Sequence, residues 1–266
     1  MATSATSDRS DEISIGAAFG KGFNLLGRRT AQILFASLVL GAMPLVALEV
    51  FSQHFMAQFT LGVWKMGALA LAAGVIVGVI GMTAALALIA RIAITAADDR
   101  DEPVATSLDV TLRRYPALVA MALIRDFATW IGMVLLIIPG LIASVVWAVA
   151  TPAMVAEGLG PIEALRRSAD LTRGLRWRIF GLAVVIGIAD MVGNFLLERV
   201  AGSFYGGRVE LDRVIAHGWP ISYMTAMVIY HTAVIAISGS IFSALYVQLR
   251  NAKDGPPSDQ LAEVFA

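Results

Sequence analysis

The chemistry-bearing side chains in this sequence are few and scattered. Its histidines are His54, His217 and His231, none paired at the spacing that puts two metal ligands on one helical face. There is no cysteine, which excludes disulfides and thiolate chemistry. No His-Glu-x-x-His, Gly-x-Ser-x-Gly or Gly-x-x-x-x-Gly-Lys-Ser/Thr pattern occurs. The expectation is a protein that is not an enzyme, with no metal site and no cofactor. The sharper signal is a set of polar residues inside long apolar runs. Arg125 and Asp126 fall in the middle of one run; Asp190 lies mid-way along another, with Asn194 and Glu198 continuing its helical face; Tyr230 and His231 sit in a third. Each charge at the centre of a membrane helix costs roughly 2.5–3.5 kcal/mol on insertion scales. Such residues need a reason. One reading is a polar pathway or ligand site formed by Arg125, Asp126, Asp190, Asn194 and His231. The other is a structural bridge from Arg125 to Asp190, because adjacent positions such as Arg125 and Asp126 point about 100° apart on a helix.

The elements that carry these residues are membrane spans. Hydrophobic residues make up 58% of the chain and charged residues 15%, far below the charge of a soluble domain. Taking about 20 apolar residues per crossing, spans are expected at 33–51, 66–90, 117–138, 140–156, 179–200 and 224–247. Of 20 Lys and Arg, 15 fall in the N-terminal segment, the second and fourth gaps and the C-terminal tail; Lys65, Arg199, Arg208 and Arg213 lie on the other side, and Arg125 sits within a span. By the positive-inside rule both termini are cytoplasmic. The expected fold is all-α: a polytopic bundle of six transmembrane helices in three hairpins, with cytoplasmic amphipathic interfacial helices. Residues 1–12 and 251–266 read as cytoplasmic tails around a membrane domain over 13–250. The first tail has no apolar core of the kind a cleavable signal peptide needs. The excess of Arg over Lys hints at a GC-rich bacterium.

Each hairpin is introduced by an amphipathic segment. In Pro161 to Gly174 one half of the helical wheel holds Ile162, Ala164, Leu165, Ser168, Ala169, Leu171 and Thr172, and the other holds Glu163, Arg166, Arg167, Asp170 and Arg173. Such a helix lies in the interface plane, and Trp177 and Arg178 follow where aromatic and basic side chains favour the membrane boundary. Arg166, Arg167, Arg173, Trp177 and Arg178 are therefore candidate lipid-headgroup residues. The N-terminal segment repeats the plan: residues 18–25 align without gaps on 164–171, with Ile15, Phe19, Phe23 and Leu26 as an apolar stripe. A shorter version, Leu108 to Tyr115, carries Arg113 and Arg114. Between spans three and four, Pro139-Gly140 is expected to form the turn, and Thr151-Pro152 to kink span four. Gly74-x-x-x-Gly78, extended by Gly67 and Gly81, offers a small-residue face for packing within the protomer or for homodimerisation. The outer segments, Phe51 to Trp64 and Ala201 to Tyr223, read as an aromatic belt and a small lid.

The pattern Ile138-Pro139-Gly140, Thr151-Pro152-Ala153, Glu157-Gly158, Ala164-Leu165-Arg166-Arg167-Ser168 and Leu171-Thr172-Arg173-Gly174 resembles the membrane domain of bacterial glycerophosphoryl diester phosphodiesterases. That family includes stand-alone members without the catalytic domain. Pro139, Gly140, Pro152, Glu157 and Ser168 are the positions that mark the motif. The tail Tyr246-Val247-Gln248-Leu249-Arg250 is similar to the family's ends. The catalytic barrel has no counterpart here, so the resemblance implies paired membrane helices with amphipathic connectors and an association with lipid, not the activity. The expected function is a non-catalytic inner-membrane module that engages anionic lipid and a protein partner or a second copy, with no nucleic acid. The alternative is a small transporter or lipid-handling permease.

Overall fold

The computed structural model describes residues 15–49, 64–100, 102–204 and 220–255. The described residues are helical throughout, with no strand among them. α1 is Ile15–Arg28, α2 Thr30–Glu49, α3 Trp64–Ala97, α4 Val104–Arg113 and α5 Tyr115–Leu135. Then come α6 Ile137–Val146, α7 Ala150–Glu157, α8 Pro161–Leu171, α9 Arg176–Phe204 and α10 Ile221–Asp254. Among the described residues six helical stretches are long and apolar enough to cross a membrane: α2, most of α3, α5, α6 with α7, α9 and α10. The expected all-α, six-helix membrane fold is what the chain forms. The tail over 1–12, all residues after Gly255, and most of both outer segments lie outside the described residues. α10 itself continues to Asp254, past the expected boundary at 250.

The chain divides into two compact units. One comprises Met1–Thr30, Ala87–Val184 and Ile237–Ala266; the other comprises Ala31–Leu86 and Val185–Ala236. In the first, the short helices pack through small residues. α1 buries Ala18, Gly22 and Leu25, and α8 buries Ala164, Leu165, Ser168 and Leu171. Ala18, Gly22 and Leu25 match Ala164, Ser168 and Leu171 in the ungapped alignment, so the repeat seen in sequence is also a repeat of buried positions. α4 follows with Ser107 and Thr111, again four apart. In α1 this buried face is distinct from the apolar stripe of Ile15, Phe19, Phe23 and Leu26. A Cβ on Gly22 would lie 2.8 Å from Ile241 Cα, so backbone meets backbone on that side, while Phe23 is left exposed. Close approach of main chains needs the small face, and the bulky face is turned away from it.

The α5–α6 reversal also differs from expectation. Leu136 is the extended residue (φ −157°, ψ 127°), and its N–H closes on Gly132 O at 3.1 Å. Pro139 instead sits in the first turn of α6, where a missing N–H costs no helical bond. Gly140 is where the two helices touch: a Cβ there would stand 2.6 Å from Met133 N. Span four is broken rather than kinked, since α6 ends at Val146 and α7 restarts at Ala150. Pro152 lies in the first turn of α7 and could not have bonded back across the break.

In the second unit α2 packs on α3 through glycines. Met43 N–H bonds Leu38 O, five residues back, within a π-helical stretch Ser37–Ala42. Pro44 accounts for it: without an N–H, and with a ring that crowds the carbonyl four residues earlier, it forces the widened turn. Leu40 O is thereby turned towards Gly81, whose Cβ would sit 2.6 Å from it. Gly78 faces Leu48 in the same way. The small-residue face of α3 is used within the protomer.

Candidate functional site

The motif-bearing corner between α7 and α8 is built from its backbone outward. Gly158 ends α7 with φ +68°, a conformation that a side chain resists, and the Arg114 guanidinium lies across it, 3.0 Å from where a Cβ would be. Gly160 caps α8; its N–H donates to Glu163 Oε2 at 2.9 Å, and Pro161 takes the first helical position. Glu157 then collects the neighbouring elements. It accepts Arg167 Nε at 2.9 Å and the Tyr246 hydroxyl at 2.9 Å, and Arg167 also pairs with Asp254. Burial opposes the charge on Arg167, but its bonds to Asp254 and Glu157 outweigh that and raise its pKa above the ordinary value. Lys253 donates to Asp170 O, and Arg250 pairs with Asp98 at 2.9 Å while lying over the Tyr246 ring.

Ser168 points inward. Its hydroxyl donates to Val146 O at 2.8 Å, satisfying a carbonyl that the break in span four leaves without a helical partner. Thr172 reaches the same oxygen at 3.4 Å. Arg167 differs from its neighbour Arg166 among the headgroup candidates: its side chain is 26% exposed and is engaged by two carboxylates. Arg166, Arg173, Trp177 and Arg178 remain exposed, Trp177 at 85%, and Arg176 joins them. Trp177 meets the Phe180 ring edge-on at 6.0 Å. Arg166, Arg173 and Arg176 make no ion pair among the described residues.

The intramembrane residues resolve into two clusters. Asp190 Oδ1 accepts the Tyr230 hydroxyl at 2.8 Å and the Asn194 amide at 3.2 Å. Gly193 makes this possible, since a Cβ there would stand 2.5 Å from Tyr230 Oη. His231 joins by an edge-on contact with the Tyr230 ring at 5.2 Å, and its Nδ1 bonds Met227 O at 2.9 Å. Arg125 takes different partners. Its Nε donates to Asp126 at 2.7 Å and its Nη1 to Thr151 Oγ1 at 3.3 Å. The expected Arg125–Asp190 bridge is replaced by these local pairs. A long guanidinium stem can fold back to the next residue even though the two Cβ atoms diverge.

Sequence reasoning missed the partners of the corner: Tyr246, Asp254, Asp98 and Arg114. Only the spacing of Tyr246 and Arg250, one helical turn apart, was a signal. Residues 117–249, half of the chain, match the family described as a domain of unknown function, DUF7847. The chain belongs to the DUF7847 family. The DUF7847 region takes in both intramembrane clusters, the Glu157 corner and Tyr246, and leaves out α1 to α4 and the acceptor Asp254. Searches of curated proteins and of solved structures give no match.

Proposed function

We propose that this DUF7847 protein is a non-catalytic module of a bacterial inner membrane that holds anionic lipid and supports a protein partner at the same face. The observation that carries the reading is the sorting of arginines around α8. Arg167 is engaged by Glu157 and Asp254, whereas Arg166, Arg173 and Arg176 stand exposed near the exposed ring of Trp177. Cations flanking an exposed indole suit a surface of phosphate headgroups over an apolar boundary. The resemblance of the motif to phosphodiesterase membrane domains supports a place near lipid chemistry. By the positive-inside rule this face is cytoplasmic.

Each basic residue near an anionic surface is worth about 1 kcal/mol, about fivefold in affinity. Replacing Arg166, Arg173 and Arg176 together with Gln should strip co-purified anionic phospholipid, measured by native mass spectrometry. Arg199→Gln should leave it in place, since Arg199 stacks on Phe195 at the far end of α9. Equal loss from the two variants would sink the proposal. A small transporter is the second reading, favoured by one observation: the Asp190–Asn194–Tyr230 cluster places a carboxylate and its donors within a span.

A further inference from the structure

α8 runs beside α7 over its whole length. At one end Ala164 and Leu165 share a core with Met154 and Val155; at the other, the Ser168 hydroxyl reaches Val146 O, at the break in span four. Glu163, Arg166, Asp170 and Arg173 stand exposed along the outer side of α8 and just beyond it. Four charges held in hydrocarbon are heavily disfavoured, so α8 belongs in water or among headgroups. α7 and the first half of α5, whose Leu118 and Met121 complete the same core, must then lie at that level too. What remains for the bilayer is α6, 10 residues long, and the facing stretch of α5 from Phe127 to Leu135. At about 1.5 Å per residue each leg reaches about 15 Å, half of a hydrocarbon core about 30 Å thick. These legs carry no charge, and Phe127, Trp130, Leu135, Leu136 and Ile138 are each 68–73% exposed.

We propose that α5 and α6 form a hairpin that enters one leaflet and returns to the side it came from, its tip at Leu136 near the bilayer midplane. α5, and α6 taken together with α7, have the length to cross, but the first half of α5 and all of α7 are committed to the core shared with α8 instead. This places Arg125 and Asp126 at the headgroup boundary rather than in mid-bilayer. It also fits a tip that contains no polar side chain where a crossing hairpin would surface. The closed Leu136–Gly132 bond and the N–H-free Pro139 reduce the number of open backbone groups at that depth. The inference is independent of whether Arg166, Arg173 and Arg176 bind lipid.

The natural absence of cysteine makes the test direct. Leu136→Cys in the full chain is exposed to a membrane-impermeant maleimide on intact cells and on inverted vesicles, with Arg173→Cys and Arg199→Cys marking the two faces. The expected result is labelling below a tenth of either marker from both faces, full labelling after denaturation, and a nitroxide at position 136 with higher oxygen than nickel-chelate accessibility. Labelling from the Arg199 face would mean that the hairpin crosses. Labelling from the Arg173 face would mean that it lies outside the bilayer. Either result overturns the proposal. If Leu136→Cys fails to accumulate, Ile138→Cys, also at the tip, gives the same readout.

Discussion

Glu102, between α3 and α4, shows how a single carboxylate is tuned outside the spans. Arg91 grips it with two bonds, Nε to Oε1 at 3.1 Å and Nη2 to Oε2 at 2.9 Å, and the Ser107 hydroxyl donates to Oε1 at 2.9 Å. Burial pushes its pKa up, but these bonds to the charged form prevail and hold it below the ordinary 4.5. A depressed acid stabilises the fold above its unfolded pKa and releases that stability as pH falls through the folded value. Glu102→Gln should therefore lower stability near neutral pH by about 1–3 kcal/mol, the scale of bonds to a charged group. The gap between wild type and variant should close below about pH 4.5, as read by thermal unfolding in detergent. A gap of unchanged size at pH 3 would show that the ionised carboxylate is not what Arg91 stabilises. Arg166 and Arg167 make a related point about legibility. Their types and their place on a polar face were evident in the sequence. That Arg167 is engaged by carboxylates was not, because one of them, Asp254, lies 87 positions away in the chain.

At the scale of elements, glycines decide how closely helices approach. Gly81 accommodates Leu40 O, which the π-helical stretch before Pro44 turns towards α3. A methyl group would meet that oxygen at 2.6 Å and Pro44 Cβ at 2.7 Å, so Gly81→Ala should cost about 1–3 kcal/mol by overpacking. A methyl group added at Gly20 in α1 would have nothing within 4 Å, so Gly20→Ala should be neutral or stabilising by up to about 1 kcal/mol through helix propensity. Unfolding midpoints of the two variants separate the effects; equal midpoints would show that α3 does not depend on this contact. The small-residue face of α3 and the buried half of α8 were readable in the sequence, because spacing on a helix is local; the buried face of α1 was not. Which neighbour each face meets was not. The π-helical turn is intermediate: Pro44 announces a disturbance, and only the packing against Gly81 shows its direction.

For the whole molecule the governing quantity is the distribution of charge between the gaps. The 15 basic residues on one side against four on the other orient the chain strongly enough to be tested directly. Arg173→Cys should be labelled by an impermeant reagent only from the cytoplasmic face, and Arg199→Cys only from the outer face. Ser168 is unsuitable as a reporter, because its hydroxyl is bonded to Val146 O inside the protein. Labelling of Arg173→Cys on intact cells would reverse the orientation.

The amino-acid sequence alone specifies an all-helical membrane protein, the places of its long apolar helices to within about seven residues, and which short helices repeat. Those properties follow from composition and periodicity, which are local in the chain. Tertiary structure decided which polar residues meet. Arg125 reached Thr151 on α7, and Asp190 reached Tyr230. It also decided that Glu157 meets Tyr246, and that the Val146 carbonyl freed at the break in span four accepts the Ser168 hydroxyl. The physical reason is one of range. A hydrogen bond fixes two groups within about 3 Å of each other, and residues 22 to 89 positions apart reach that distance only when the intervening helices have packed.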